Sequence, residues 1–177
     1  MKNTIAIKYY KSPYGELVLG SFNEKLCLCD WRYRKQRESI DKKIRLGLEA
    51  NFKEEESPII EKTISQLEEY FKGERKEFDI GLETVGTSFQ TSVWNALQKI
   101  PYGKTISYLE LSEKLGDVKA IRAVATANGA NALAILIPCH RIIGKDGKLV
   151  GYAGGLKAKE GLLKLEGALG SEQMKLF

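Results

Sequence analysis

The chain lacks the features of membrane and secreted proteins. Its 177 residues contain no apolar run of about 18 residues, the length that crosses a bilayer, so we expect no membrane partner. The first residues, Met1 to Lys8, hold no apolar core long enough for a signal peptide, and we expect a cytoplasmic protein. Three cysteines are an odd number, which argues against a disulfide framework and favours a reducing compartment.

Metal ligands are also scarce, because the sequence has one histidine, His140. Cys27 and Cys29 lie two positions apart on a predicted strand and therefore share a face. A Cys/His zinc site would have to include Cys139, the remaining cysteine. We expect no metal site and no cofactor, and interpret Cys27 and Cys29 as core residues. The phosphate-loop patterns GxGxxG and GxxxxGK[ST] are both missing.

What is present fits a globular protein, with 43% hydrophobic and 29% charged residues. The length suggests one large domain or two small ones. Residues 1–83 carry 16 basic and 16 acidic side chains, whereas residues 84–177 carry 12 and 7. The whole excess positive charge therefore lies in the second half. This asymmetry points to a polyanion such as nucleic acid, but an ordinary solvated surface explains it as well.

Hydrophobic patterning predicts a mixed α/β (α+β) fold. In the first half, alternating apolar residues and turn signals indicate an antiparallel meander, followed by a charged helix, an acidic loop and an amphipathic helix. The three strands are predicted over 5–9, 16–22 and 26–31. The charged helix covers 32–50, the acidic loop 51–58 and the amphipathic helix 59–73. Residues 79–86 have little periodicity and are predicted to connect the two halves.

The second half is predicted to be mostly helical. Thr87 with Gln90, and Ser107 with Glu110, fit capping boxes at two helix starts. The second of these helices and a third over 119–127 flank a glycine turn, which is typical of a helix-turn-helix or of a plain helical hairpin. After them we predict a buried strand over 133–138, a hairpin resembling a wing over 142–150 and a final helix over 156–166.

The segment from Pro138 to Arg141 carries the strongest chemical signal. Cys139 is a nucleophile only as a thiolate, and His140 or the charge of Arg141 could activate it. If residues 139 and 140 are extended, their side chains point to opposite faces, so the contact needs a bridging water or a turn. The alternative is a buried structural cysteine beside a capped histidine.

Three other places could support a reactive cysteine. The Asn131 side chain could bond backbone groups and fix the approach to Cys139, or simply form a turn. Glu166 could orient the histidine and hold one tautomer, or be a surface carboxylate. The segment Tyr152–Gly155 allows close approach of backbone to a ligand, or is a turn before a helix.

Several blocks, in order, resemble the O6-alkylguanine-DNA alkyltransferases. The resemblance covers roughly residues 84–168 and is most specific in Ile137-Pro-Cys-His-Arg-Ile-Ile143. The other matching blocks are Phe89-Gln90, Val93-Trp94, Ile100-Pro-Tyr-Gly103, Ser107-Tyr108, Arg122-Ala-Val124, Ala127-Asn128, Gly151-Tyr-Ala-Gly-Gly-Leu156, Lys159-Glu160, Leu162-Leu163 and Glu166-Gly167. The first half matches more loosely, in its size and its order of strands and helices.

The resemblance implies roles for the candidate catalytic residues. The family transfers an alkyl group from guanine O6 in DNA to its own cysteine, here Cys139, once per molecule. His140 would take the thiol proton through a water, with Glu166 orienting it. Asn131 would brace the reactive segment, and Tyr108 would donate to the flipped base. Ala132 stands where the family usually has proline after this asparagine.

The resemblance also implies the DNA contacts. Arg122 would replace the flipped base in the stack, on a helix whose small residues Ala123 and Ala127 suit a narrow groove. The carbonyl of Ile142 and the backbone N–H near Ala153 would read the guanine edges. Tyr152 and Gly154 complete the segment that approaches the base.

The implied architecture has a ribonuclease-H-like N-terminal domain over 1–83 and a winged-helix domain over 84–177. The implied partner is double-stranded DNA containing O6-alkylguanine, bound through the minor groove by a monomer. Activity on O4-alkylthymine stays open. Two rival hypotheses are a winged-helix protein that binds lesions or regulates without transfer, and a Cys-His hydrolase unrelated to DNA.

Overall fold

The computed structural model describes residues 3–169, so the ends of the two predicted domains lie outside the described residues. The chain separates into two compact units, here called the N-terminal unit, which ends at Gly86, and the C-terminal unit, which begins at Thr87. Each unit has buried apolar side chains of its own.

A four-stranded sheet is the base of the N-terminal unit. Its strands are β1 (Asn3–Ser12), β2 (Gly15–Phe22), β3 (Lys25–Trp31) and β4 (Ala50–Glu54). The spatial order is β3-β2-β1-β4, with antiparallel pairing of β1 to β2 and of β2 to β3. The predicted antiparallel meander is therefore confirmed.

Two helices accompany this sheet, α1 (Arg37–Leu48) and α2 (Pro58–Phe71). Both were expected from apolar residues at helical spacing. The hydroxyl of Ser57 caps α2 by accepting the Ile60 N–H. Helix α2 contacts the first three strands and buries Leu67 and Tyr70, which closes the core of the N-terminal unit.

The predicted acidic loop over 51–58 is wrong, because residues 51–54 belong to β4. This strand runs parallel to β1 at the edge of the sheet, with Ala50 as its one buried residue. An edge strand facing solvent needs no apolar alternation, so the periodicity signal was missing. The opposite edge is covered by the connection between the units: Leu26 of β3 exchanges backbone hydrogen bonds with Gly81 and Glu83.

The C-terminal unit is mostly helical. It contains α3 (Ser88–Leu97), β5 (Ile106–Ser107), α4 (Tyr108–Lys114), α5 (Ile121–Gly129), β6 (Ile142–Ile143) and α6 (Leu156–Leu165). Both capping boxes are confirmed: Thr87 and Gln90 cap α3 reciprocally, and Ser107 and Glu110 cap α4.

Helices α4 and α5 pack against each other, and α5 also packs against α3. A turn at Gly116, whose φ of +84° favours glycine, ends α4. A 3-10 turn at Val118–Ala120 then leads into α5. The predicted pair of helices around a glycine turn is confirmed, and it leaves the start of α5 exposed.

The predicted buried strand over 133–138 is wrong. The segment is buried but folds back on itself, with hydrogen bonds from the Ile137 N–H to the Leu133 carbonyl and from the Leu136 N–H to the Ala134 carbonyl. Ile135 has a φ of +74°, outside the extended region. Local bonds satisfy the backbone here, where a strand would need a neighbouring ladder.

The predicted hairpin over 142–150 is correct in its turn and wrong in its pairing. The Gly144 N–H donates to the Lys148 carbonyl, and Gly147 has a φ of +83°. However, β6 pairs in parallel with β5, and the described residues contain no returning strand over 148–150. The carbonyl of Val150 instead accepts a hydrogen bond from a lysine on α6.

Candidate active site

Cys139 lies in a tight turn of the C-terminal unit. Residues Cys139–Arg141 form a single 3-10 turn in which the Arg141 N–H donates to the Pro138 carbonyl. Cys139 itself is 5% exposed. Of the two backbone geometries considered for the Cys-His pair, extended or turn, the structure has the turn.

The side chain of Asn131 fixes the position of this turn. Its amide nitrogen Nδ2 donates to the Ile137 carbonyl at 2.9 Å and to the sulfur Sγ of Cys139 at 3.2 Å. Its Oδ1 accepts the Leu133 N–H at 2.9 Å. One buried carboxamide thus bonds both ends of the 133–137 fold and the thiol, which is the contact expected of this residue from its place in the sequence.

His140 and Glu166, which are 26 residues apart in the sequence, form a buried hydrogen-bonded pair. The Nε2 atom of His140 is 2.8 Å from Oε1 of Glu166. Burial lowers the pKa of His140, although Glu166 opposes this, so the imidazole is neutral. Burial alone would raise the pKa of Glu166, but hydrogen bonds from His140 and Arg141 outweigh it and hold that pKa at about 2.

These two charge states define the tautomer of His140. A neutral imidazole beside a carboxylate donates through Nε2–H, which leaves the lone pair on Nδ1. That Nδ1 atom is buried, and within residues 3–169 it has no hydrogen-bond partner. The pair therefore presents a buried nitrogen base next in sequence to Cys139.

Arg141 bonds the carboxylate of Glu166, a partner that was not predicted from the sequence. Its Nε and Nη2 atoms donate to the two carboxylate oxygens of Glu166, each at 2.9 Å. Its Nη1 donates to the Ile100 carbonyl at 2.6 Å. The guanidinium is thus committed to the carboxylate that orients His140, and it neutralises that carboxylate inside the protein.

Lys159 is a site residue to which the sequence analysis gave no role, although it lies in one of the matching blocks. It lies on α6 with no exposed surface, and its Nζ donates to the carbonyls of Val150 at 3.0 Å and Gly151 at 3.3 Å. Burial lowers its pKa to about 8, while interaction with Cys139 acts in the opposite direction. A signal was available, because Lys159, Leu162 and Glu166 recur at helical spacing on the buried face of α6.

Tyr108 opens α4 close to the thiol. Burial raises its pKa, and its interaction with Cys139 raises it further. A hydrogen bond with the side chain of Asn128 acts in the opposite direction. The structure therefore brings Tyr108, which the resemblance assigned to catalysis, into the neighbourhood of Cys139.

The glycine segment adjoins His140. The ring of Tyr152 meets that of His140 edge-on, with 6.5 Å between centroids. Ala153 and Gly154 are half-buried, and Gly155 has a φ of +89° at the start of α6. Ile142, whose carbonyl was expected to read the base, is fully buried in β6 directly after the reactive turn.

The three residues of α5 that were predicted to contact DNA differ in their exposure. Arg122 and Ala123 are exposed near its start. Ala127 is 2% exposed, and its carbonyl accepts the Trp94 indole N–H at 2.9 Å. This burial does not fit the expected DNA contact of Ala127, which we correct to a packing role between α5 and α3.

Cys27 and Cys29 are buried in β3, as predicted for core residues. Burial raises the pKa of Cys27 to about 12 and raises that of Cys29 as well, so both stay protonated thiols. Among residues 3–169 no group of three or more His, Cys, Asp and Glu side chains is placed to hold a metal ion. That same stretch includes no helix long and apolar enough to span a membrane.

Two family models match the chain. They are described as 6-O-methylguanine DNA methyltransferase, ribonuclease-like domain, over residues 5–84, and 6-O-methylguanine DNA methyltransferase, DNA binding domain, over residues 88–168. The methylated-DNA–protein-cysteine methyltransferase of Methanosarcina acetivorans is 45% identical over 160 residues, which cover 90% of this chain and 96% of that protein. This chain belongs to the 6-O-methylguanine DNA methyltransferase family.

Other members of the methyltransferase family are also similar to this chain in sequence and in structure. The relative from Mycobacterium tuberculosis is 50% identical over 114 residues, or 64% of this chain and 69% of that protein. The crystal structure of the O6-methylguanine methyltransferase of M. tuberculosis superposes with a TM-score of 0.76 at 38% identity, covering 98% and 99% of the two chains.

A structure of the M. tuberculosis protein in complex with DNA gives a TM-score of 0.77 at 38% identity, over 93% of each chain. The resemblance drawn from the sequence is confirmed. So is the mixed α/β fold class, with a ribonuclease-like first part and a helical DNA-binding second part.

Proposed function

We propose that this methyltransferase-family chain repairs DNA by irreversibly moving an alkyl group from guanine O6 to Sγ of Cys139. The observation that carries the proposal is the thiol held by Asn131 at 3.2 Å, in the turn that also positions the neutral His140 against Glu166. A thiol so held needs one proton removed to become a nucleophile, and the adjacent imidazole has a free lone pair.

Proton removal is the first step. The lone pair on Nδ1 of His140 accepts the thiol proton through a bridging water molecule, and Glu166 stabilises the imidazolium that forms. The ammonium of Lys159 is the nearby positive charge that favours the thiolate, as their electrostatic interaction indicates. The Asn131 amide N–H also donates to the sulfur and stabilises its negative charge.

Transfer follows by in-line displacement at the alkyl carbon. The thiolate lone pair forms the S–C bond, and the electron pair of the breaking O–C bond passes to guanine O6 and its ring. The Tyr108 hydroxyl gives a proton to the ring, so guanine leaves as a neutral molecule. The thioether is a poor leaving group, and each protein molecule therefore acts once.

Access to O6 requires the base to leave the duplex, because the reacting atom is stacked inside it. We assign the exposed Arg122 to the gap in the stack and the small Ala123 to close approach of α5 in the minor groove. The carbonyl of Ile142 and the segment Tyr152, Ala153 and Gly154 receive the flipped base. The protein acts as a monomer, since every proposed group lies on one chain.

The test is a titration of the protein with a duplex carrying one radiolabelled O6-methylguanine. The proposal predicts transfer of one label per protein molecule and none to Cys139→Ser. Tight binding without transfer would identify a lesion-binding protein instead. Release of label over many cycles would identify a hydrolase.

A further inference from the structure

We infer that Tyr102 and Gly103 are positioning residues for the transfer, because they hold the end of α6 where the Glu166 carboxylate reaches His140. Both lie in the turn over residues 100–103, here called the 100–103 turn, which follows α3. The inference deepens the proposed function and rests on it.

Gly103 packs directly against the backbone of Glu166. Its φ is +79°, and a Cβ atom at this position would lie 3.0 Å from the carbonyl oxygen of Glu166. Carbon atoms normally approach a carbonyl oxygen only to about 3.3 Å. The Lys104 N–H donates to the Pro101 carbonyl at 3.1 Å, which closes the turn and fixes Gly103 in this place. A side chain at position 103 would therefore push the end of α6 away from the turn.

Tyr102 bonds the residue just before Glu166. Its hydroxyl donates to the carbonyl of Leu165 at 3.4 Å. Leu165 is the last residue of α6, and the carbonyls of a last helical turn have no partner within their own helix. Two adjacent residues of the 100–103 turn therefore contact two adjacent residues at the end of α6.

The same turn also holds the second partner of the carboxylate. The carbonyl of Ile100 accepts Nη1 of Arg141 at 2.6 Å, while the guanidinium donates two bonds to Glu166. The turn thus bonds both the backbone that carries Glu166 and the cation that pairs with its carboxylate. The 2.8 Å contact of that carboxylate with Nε2 of His140 depends on both.

This contact decides the tautomer of His140. While the carboxylate accepts from Nε2–H, the lone pair on Nδ1 stays available for the thiol proton. A displacement of Glu166 by a few tenths of an ångström weakens the preference for Nε2–H. The Nδ1–H form, which cannot take the proton at that atom, then gains population. The absence of a side chain at Gly103 thereby keeps the base in its working form.

The experiment reads the tautomer directly. His140 is the only histidine of the chain, so labelling histidine with ¹⁵N gives one imidazole, whose two nitrogen shifts report the tautomer in NMR spectra. At neutral pH we expect the Nε2–H form in wild type and a mixture with the Nδ1–H form in Gly103→Asn. Asparagine tolerates the left-handed backbone, so this variant mainly adds the Cβ contact. Transfer should slow about tenfold, from a duplex and from free O6-methylguanine alike.

Gly73→Asn is the matched control. Gly73 has a φ of +76°, and a Cβ placed there meets no non-neighbouring atom of the described chain within 4 Å. This variant should keep the wild-type spectrum and transfer rate. Tyr102→Phe removes the hydroxyl without adding bulk, and should change the spectrum in the same direction as Gly103→Asn, with a rate about threefold lower.

A wild-type histidine spectrum or a wild-type transfer rate in Gly103→Asn would overturn the inference, as would an equal loss of rate in Gly73→Asn. Should Gly103→Asn fail to fold, Tyr102→Phe decides, and an unchanged spectrum there overturns the inference. If wild type itself transfers no alkyl group, the proposed function fails, whereas the spectra still decide whether the 100–103 turn sets the tautomer of His140.

Discussion

The imidazole of His140 and the carboxylate of Glu166 meet at 2.8 Å in the interior of the C-terminal unit, 26 residues apart in the chain. The same carboxylate accepts two hydrogen bonds from Arg141. Three ionisable side chains are thereby locked together, with the negative charge on Glu166 compensated and the imidazole kept neutral. This arrangement lets a histidine next to a cysteine act as a base without itself being charged in the resting protein.

Removing the carboxylate charge should be costly. In Glu166→Gln, Arg141 is left as a buried, uncompensated cation, and we expect the free energy of unfolding to fall by about 3 kcal/mol. The transfer rate should fall about 100-fold, because a neutral amide stabilises the imidazolium less. Urea unfolding and single-turnover kinetics measure the two effects.

Glu160→Gln on the same helix is the matched control, because Glu160 pairs with Lys164 at the protein surface. Its cost should stay below about 0.5 kcal/mol, with the transfer rate unchanged. Equal losses in the two variants would contradict the special role of Glu166.

Acid should unfold the protein through the same carboxylate. The pKa of Glu166 is about 2 in the folded protein against an ordinary 4.5, so its contribution is present above about pH 5 and is lost as the pH falls towards 2. As the pH is lowered, the carboxylate takes up a proton in the unfolded state before it does so in the folded state. The free energy of unfolding therefore falls as the pH falls, by up to about 3 kcal/mol. Urea midpoints between pH 6 and pH 3 should drop more steeply in wild type than in Glu166→Gln; parallel curves would refute this.

Lys159→Met should release the segment before α6. The ammonium holds two successive carbonyls, those of Val150 and Gly151, and nothing in methionine replaces these bonds. We expect a transfer rate at least about tenfold lower, since the segment that receives the base is no longer fixed. The exposed Lys157 on the same helix supplies the control, and Lys157→Met should transfer at the wild-type rate.

The same lysine makes an alkaline prediction with the same sign of pH dependence as that of Glu166, because the fold lowers both pKa values. Its pKa is about 8 when folded against 10.5 when free, so between these values the unfolded state binds more protons. Stability from this group therefore rises as the pH increases from 8 to 10.5. Unfolding midpoints over that interval should rise relative to those of Lys159→Met, and a relative fall would show that the ammonium is stabilised in the fold.

Arg122→Ala should separate DNA engagement from chemistry. The side chain is exposed at the start of α5 and is assigned to the gap left by the flipped base, not to the chemistry at the thiol. Without it, transfer from a duplex should slow about tenfold or more. Transfer from the free base O6-methylguanine should not change. Lys114→Ala removes one exposed positive charge from α4 and controls for the loss of charge alone. Equal slowing with duplex and free base would contradict the assignment.

Local signals accounted for much of the fold. The capping boxes at Thr87 and Ser107, the glycine turn at Gly116 and the apolar spacing of α2 each depend on residues a few positions apart, and each was predicted. The reactive turn was located because Cys139 and His140 are neighbours in sequence.

What the sequence did not reveal depends on distant partners. The strand β4 forms because β1 lies beside it, and the segment 133–137 folds back because the Asn131 carboxamide satisfies its backbone. Arg141 was considered only as a charge that could activate the thiol, and its pairing with the Glu166 carboxylate joins residues 25 positions apart. Lys159 was given no role because its acceptors are the backbone carbonyls of Val150 and Gly151, and the spacing of residues on α6 shows that it is buried but not what it binds.

The central claim is that one sulfur atom accepts the alkyl group, and mass spectrometry of the intact protein tests it most directly. After incubation with a duplex containing O6-methylguanine, the wild-type protein should gain the mass of a single methylene group, and peptide fragmentation should place it on Cys139. Protein that binds the duplex yet keeps its original mass, or that carries the adduct on Cys27 or Cys29, would contradict the account.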